Sequence, residues 1–187
     1  MAAALLASFV AALLCAWGDR SQLLAAMLAA GTRKPGQVLV GLILAALAGN
    51  VVAAFAGIWI AETITIRAMT LLTALALLFA GLFGLIPRKQ KPEAAPRFPL
   101  VATFILCLAA EMGDRTQFLT FAFAGRFDSA PLAAAGATAG MVAACVPAVM
   151  LGERLQAVVP VRGIRWAVAG VMLVAGFIVG VQALQLA

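Results

Sequence analysis

Five ionisable side chains stand inside long apolar stretches of this chain: Asp19, Arg20, Glu111, Asp114 and Arg115. Isolated at mid-membrane, they would together cost on the order of 12 to 17 kcal/mol, more than the net stability of most domains. They must therefore pair, bind an ion or touch water. One arrangement is purely structural, with Asp19 on Arg115 and Asp114 on Arg20 locking two parts of the chain together, but it leaves Glu111 without a counter-charge. The other is chemical. Glu111 and Asp114 are three apart, as are Asp114 and Gln117, so an unbroken helix would present all three on one face with Thr116 at its edge. Asp19 and Gln22 hold the same relation, with Ser21 between them. Three carboxylates with amide, hydroxyl and carbonyl oxygens suit a hard divalent cation such as Mn²⁺ or Ca²⁺. The chain has no His, and Cys15, Cys107 and Cys145 are scattered through apolar runs, which argues against a site for Zn²⁺ or Cu⁺ and for cysteines that pack. Carboxylates in a poorly solvated site hold protons tightly when empty and release them as a cation enters, and an exchanger needs only that competition.

The elements that must position these groups are membrane helices. Of 187 residues, 65% are apolar and 11% charged, against 45–50% and about a quarter in soluble domains. With a mean hydropathy of +1.12, a water-soluble globular enzyme is excluded. Apolar runs at 2–30, 37–61, 68–86, 98–125, 131–151 and 163–185 are each long enough for a helix to cross roughly 30 Å of hydrocarbon, so the expected fold is an all-α membrane protein with six transmembrane helices. Residues 1–17 also resemble a signal segment, but they lack a basic start, and cleavage there would remove part of a repeat. The net charge of +6 reads as topology rather than nucleic-acid binding, because the basic residues sit in short connections.

The chain is internally duplicated. Gly18-Asp19-Arg20-Ser21-Gln22 returns as Gly113-Asp114-Arg115-Thr116-Gln117, and weaker echoes link Glu62 to Glu153 and Ile66-Arg67 to Ile164-Arg165. The expected organisation is a first three-helix repeat at 1–86, a charged Pro-rich linker at 87–97 and a second three-helix repeat at 98–187. Three spans per unit make the copies an inverted pair, whose motifs meet at the midplane. The odd-numbered loops carry Arg33, Lys34, Arg88, Lys89, Lys91, Arg97, Arg154, Arg162 and Arg165, against Arg67 and Arg126 in the even ones, which places the odd loops in the cytoplasm and both termini outside a cell inner membrane. The glycine before each aspartate marks either a close helix approach or a place where the helix unwinds to offer carbonyls.

Other polar residues read more simply. Asn50 suits an interhelical hydrogen bond, Glu62 and Glu153 sit near span ends as solvated groups or gates, and Gly136-x-x-x-Gly140 signals close helix packing too common to establish a homodimer. Two rivals to a cation transporter are an exporter of amino acids or other organic solutes, in which Arg20 and Arg115 would bind a carboxylate, and an intramembrane aspartyl protease built on Asp19 and Asp114. The third acid and the arginine after each aspartate fit cation binding better than a protease's shared-proton dyad, and the solute exporter is told apart by metal failing to compete.

Glu111-Met112-Gly113-Asp114-Arg115-Thr116 resembles the Glu-x-Gly-Asp-Lys/Arg-Thr/Ser signature of Gdt-one-type cation exchangers, the family of Golgi transmembrane protein 165 and of bacterial manganese exporters. The likeness covers essentially the whole chain. It implies a non-enzymatic secondary transporter that exports Mn²⁺ or Ca²⁺ in exchange for H⁺, with the motif acids as ligands to the transported ion and no resident cofactor. The expected ion-binding residues are Asp19, Glu111 and Asp114, seconded by Gln22, Gln117, Ser21 and Thr116. The first motif departs from the family pattern, reading Ala16-Trp17-Gly18-Asp19-Arg20-Ser21, so that Ala16 stands where relatives carry Glu.

Overall fold

The computed structural model describes residues 2–86, 96–152 and 160–185, and every described element is helical. In chain order these are α1 (Ala2–Ala16), α2 (Arg20–Thr32), α3 (Pro35–Ala61), α4 (Ile66–Leu85), α5 (Pro99–Glu111), α6 (Arg115–Phe127), α7 (Ala130–Leu151) and α8 (Val161–Gln185). Proline in the first turn starts α3, α5 and α7, where its missing N–H has no partner to lose. Thr65 caps α4 by accepting from the Ala68 N–H at 3.2 Å.

α3, α4, α7 and α8 are each long and apolar enough to cross a membrane, which makes this a multi-pass membrane protein. The runs expected as the first and fourth spans are not single helices. α1 and α2 are separated by a break with a 62° bend, and together they have the length and apolarity of one further span. α5 and α6 each have 13 residues, roughly 20 Å, and neither crosses alone. The reason is the backbone at the motif glycines: Gly18 has φ +71° and Gly113 φ +72°, in the left-handed region that interrupts a right-handed helix. The expectation that Glu111, Asp114 and Gln117 share one helix face is therefore corrected. Glu111 ends α5, Asp114 precedes α6, and Gln117 lies in the first turn of α6.

The duplication seen in the motifs extends to geometry. Asp19 (φ −83°, ψ 167°) and Asp114 (φ −80°, ψ 160°) cap their helices in nearly the same extended conformation, and both 13-residue helices end on a left-handed residue, Arg33 at φ 55° and Asp128 at φ 50°. Packing is reciprocal: α1 lies on α7, while α5 lies on α3. Gly136 faces the Leu5 carbonyl in the first contact as Gly41 faces the Leu100 carbonyl in the second, and these are corresponding positions of the two motif-bearing segments. Gly140 is likewise closed against the backbone of Phe9 and Leu13, so the Gly136-x-x-x-Gly140 pair is used inside the molecule. α4 and α8 pair beside this core. The linker at 87–97 and Glu153 lie largely or wholly outside the described residues.

Candidate functional site

Each helix break is held open by a glutamine four residues beyond its glycine. Gln22 Oε1 accepts from the Gly18 N–H at 2.8 Å, and Gln117 Oε1 accepts from the Gly113 N–H at 3.3 Å. An N–H at a broken turn has no i−4 carbonyl, so the amide side chain supplies the acceptor that the helix has given up. The other end of each amide reaches the opposite repeat. Gln22 Nε2 donates to the Ala144 carbonyl of α7 at 2.8 Å, while Gln117 Nε2 lies against Gly49 of α3. Gly49 and Ala144 are themselves corresponding positions, so the two glutamines make the same cross-repeat reach with different partners. Both sequence-nominated glutamines thus act directly on the break, and Gly49, whose missing side chain makes room for one of them, was not singled out by the sequence.

Asp19 and Asp114 stand at the N-termini of α2 and α6, where partial positive charge favours a carboxylate, and neither side chain makes a capping hydrogen bond. Both are buried, at 4% and 8% exposure. The Arg115 guanidinium crosses to the first repeat. Its Nη2 donates to the Cys15 carbonyl at the end of α1 at 2.5 Å and lies 3.4 Å from Asp19 Oδ1. Of the two structural pairs considered from the sequence, Asp19 with Arg115 is present. Arg20, the counterpart of Arg115, is exposed while Arg115 is buried.

Glu111, 3% exposed, lies at the same crossing, beside the Ser21 hydroxyl and within electrostatic reach of both Asp19 and Asp114. The Ser21 hydroxyl acts on the Glu111 carboxylate from beyond close hydrogen-bond geometry, so that Glu111 Oε1 and Ser21 Oγ are both buried with no close partner. A buried carboxylate oxygen in that condition costs free energy unless a proton or cation satisfies it. The acids do not form a finished cage: among the described residues, no group of three or more Asp, Glu or Cys side chains is close enough to hold one metal ion. The two motifs also differ in access. Asp19, Ser21 and Gln22 are sealed, whereas Gly113, Asp114 and Gln117 line a cavity of about 400 Å³ walled by Phe79, Phe118 and Phe121.

Around the second motif, Asn50 performs the interhelical role expected of it. Its Nδ2 donates to Thr138 Oγ1 at 3.3 Å and its Oδ1 accepts from Thr120 at 3.0 Å, tying α3 to α7 and α6. Thr120 also donates to the Thr116 carbonyl at 2.9 Å, so Thr116, itself buried, anchors this chain through its backbone. Ala16 is buried at 2%, and Trp17 packs partly buried against the core beside it. Cys15, Cys107 and Cys145 are buried thiols packed in the core. Glu62 is exposed at the end of α3, where it borders an outer hollow with Arg126 and Asp128.

Membrane-crossing helices around buried acids at two helix breaks define a polytopic membrane protein with a polar interior. The model of the divalent cation/proton antiporter GDT1 family matches residues 4–92 and 99–186, and this chain belongs to that family, whose members are transporters and not enzymes. A protein of Vibrio cholerae serotype O1 named "Putative manganese exporter" is 33% identical over 159 residues, covering 83% of this chain and 80% of its own. No solved structure matches the chain.

Proposed function

We propose that this cation transporter exports Mn²⁺, with Ca²⁺ as the second candidate, in exchange for H⁺. The observation that carries the reading is the pair of equivalent helix breaks capped by Asp19 and Asp114, with buried Glu111, whose Oε1 has no close partner, within electrostatic reach of both. Oxygen ligands and the absence of His favour a hard divalent ion, and the printed name of the Vibrio relative favours manganese. Glu111 and Asp114 are the first ligands, reached through the cavity at Gly113, with Gln117 beside them; Asp19 joins when the halves close. Gln22, Ser21 and Thr116 orient these groups. The ion is cargo, and the carboxylates that release it take up protons in its place.

In this reading the fold is a six-span inverted repeat, in which α1–α2 and α5–α6 are broken spans and α3, α4, α7 and α8 are continuous ones. The reciprocal packing of α1 on α7 and α5 on α3 supports a two-fold relation between units at 1–86 and 98–187. The basic odd-numbered loops support a cytoplasmic linker and external termini in a bacterial-type inner membrane.

Proteoliposomes with an internal pH dye, challenged with Mn²⁺, Ca²⁺, Mg²⁺ or lysine, test the reading. Mn²⁺ should evoke proton movement that Glu111→Gln and Asp114→Asn abolish. Proton movement evoked by lysine and by no metal would instead establish the organic-solute rival.

A further inference from the structure

Arg115 is a buried charge held at two points and, being a cation, has no part in ligating one. Its side chain is 3% exposed, donates to the Cys15 carbonyl and touches Asp19, while its Nε has no partner. The Cys15 carbonyl belongs to the C-terminal turn of α1, where the helix dipole also favours positive charge. The guanidinium fits because α4 presents Gly84 to it: a Cβ there would lie 3.1 Å from Nη1. The repeat-related Arg20 has none of this, being exposed.

We propose that the Arg115 guanidinium is a tethered cation that occupies the first half-site in place of the transported ion, and that Gly84 is the positioning residue that lets it dock. While it is docked, Asp19 is neutralised from within the protein and the three acids cannot surround one ion, in keeping with their failure to form a cage here. When an ion entering at Asp114 and Glu111 draws Asp19 towards it, the guanidinium must withdraw. While docked, the guanidinium holds a positive charge against buried Asp19 in every step of the cycle in which no ion is bound.

The inference rests on the cation-exchange reading, and its test separates the two. Mn²⁺ binding to purified protein is measured by the EPR signal of free Mn²⁺ for the wild type, Gly84→Ala, Asp19→Asn and the double variant, with monodispersity checked for each. Gly84→Ala crowds the guanidinium by a few tenths of an ångström and comes within 3.4 Å of the Ala169 side chain, but meets no acid. It should tighten Mn²⁺ binding by on the order of five- to ten-fold, the worth of about one ordinary hydrogen bond, and in liposomes it should lower KM without raising kcat. The gain should vanish in the Asp19→Asn background. Arg115→Lys, whose point charge cannot span the carbonyl and the carboxylate together, should tighten binding in the same direction. A wild type that binds no Mn²⁺ overturns the cation reading and the inference with it. A wild type that binds normally, with Gly84→Ala unchanged, weakened or equally effective on Asp19→Asn, overturns the tethered cation alone.

Discussion

Replacing Gly49 with alanine should damage transport while sparing the fold, and the structure says by how much. The added Cβ would overlap Gln117 Nε2 and come within 3.6 Å of Glu111 Oε2. Gln117 is the flexible end of a side chain that borders a cavity, so it can swing away. In swinging, it gives up the 3.3 Å hydrogen bond from the Gly113 N–H, which is worth about 0.5–1.5 kcal/mol and corresponds to a roughly two- to twelve-fold loss of the intact break. Gly57→Ala is the control. Its Cβ would strike the Phe121 backbone, with the carbonyl carbon at 2.9 Å, and backbone in a packed helix cannot swing. That overpacking should cost about 1–3 kcal/mol of stability or more. Cation-evoked proton flux in proteoliposomes, read beside thermal unfolding of the same preparations in detergent, separates the two variants. Gly49→Ala should lose several-fold in flux with its unfolding midpoint lowered by no more than about 5 °C, and Gly57→Ala should lose more of its midpoint than that. If Gly49→Ala unfolds as early as Gly57→Ala, or transports like the wild type, the role given to Gln117 is wrong.

Gln22→Leu would leave the buried Gly18 N–H without its acceptor and remove the added bond on the Ala144 carbonyl, and should destabilise the protein by about 2 kcal/mol in the same unfolding assay. Gly113→Ala meets no atom within 4 Å, so its whole cost is the left-handed backbone, about 1–2 kcal/mol; flux should fall because the break straightens, and circular dichroism should show no loss of helix. Ala16→Glu restores an acid beside the Arg115 anchor and should tighten Mn²⁺ binding by on the order of ten-fold by adding a charged ligand; unchanged affinity would mean position 16 does not border the ion.

The site was legible in the sequence because polar residues in an apolar chain are expensive, and every one of them demands a reason. The repeated Gly-Asp-Arg-Ser/Thr-Gln cluster pointed to both helix breaks and to Asp19, Gln22, Asp114 and Gln117, and Asn50 was recognisable as an interhelical bond. The error lay in treating Glu111 and Asp114 as neighbours on one helix. Spacing assumes a continuous helix, and the positive φ of Gly113 voids that assumption. Gly49 and Gly84 escaped notice for a related reason: among 17 glycines, nothing in the order of residues marks which two face a functional side chain.

Composition and pattern alone determined that this chain lives in a membrane and that one polar motif occurs in it twice, and they nominated a few carboxylates as the groups to examine, because burial of charge and apolar length are properties a sequence carries within itself. Only tertiary structure decided that two of the runs are broken helices, that Gln22 and Gln117 hold the breaks, and that Arg115 rather than Arg20 is buried against the opposite repeat. Those outcomes depend on which surfaces of two nearly equivalent units meet, and two copies of one motif cannot say in advance which will be sealed and which will open onto a cavity.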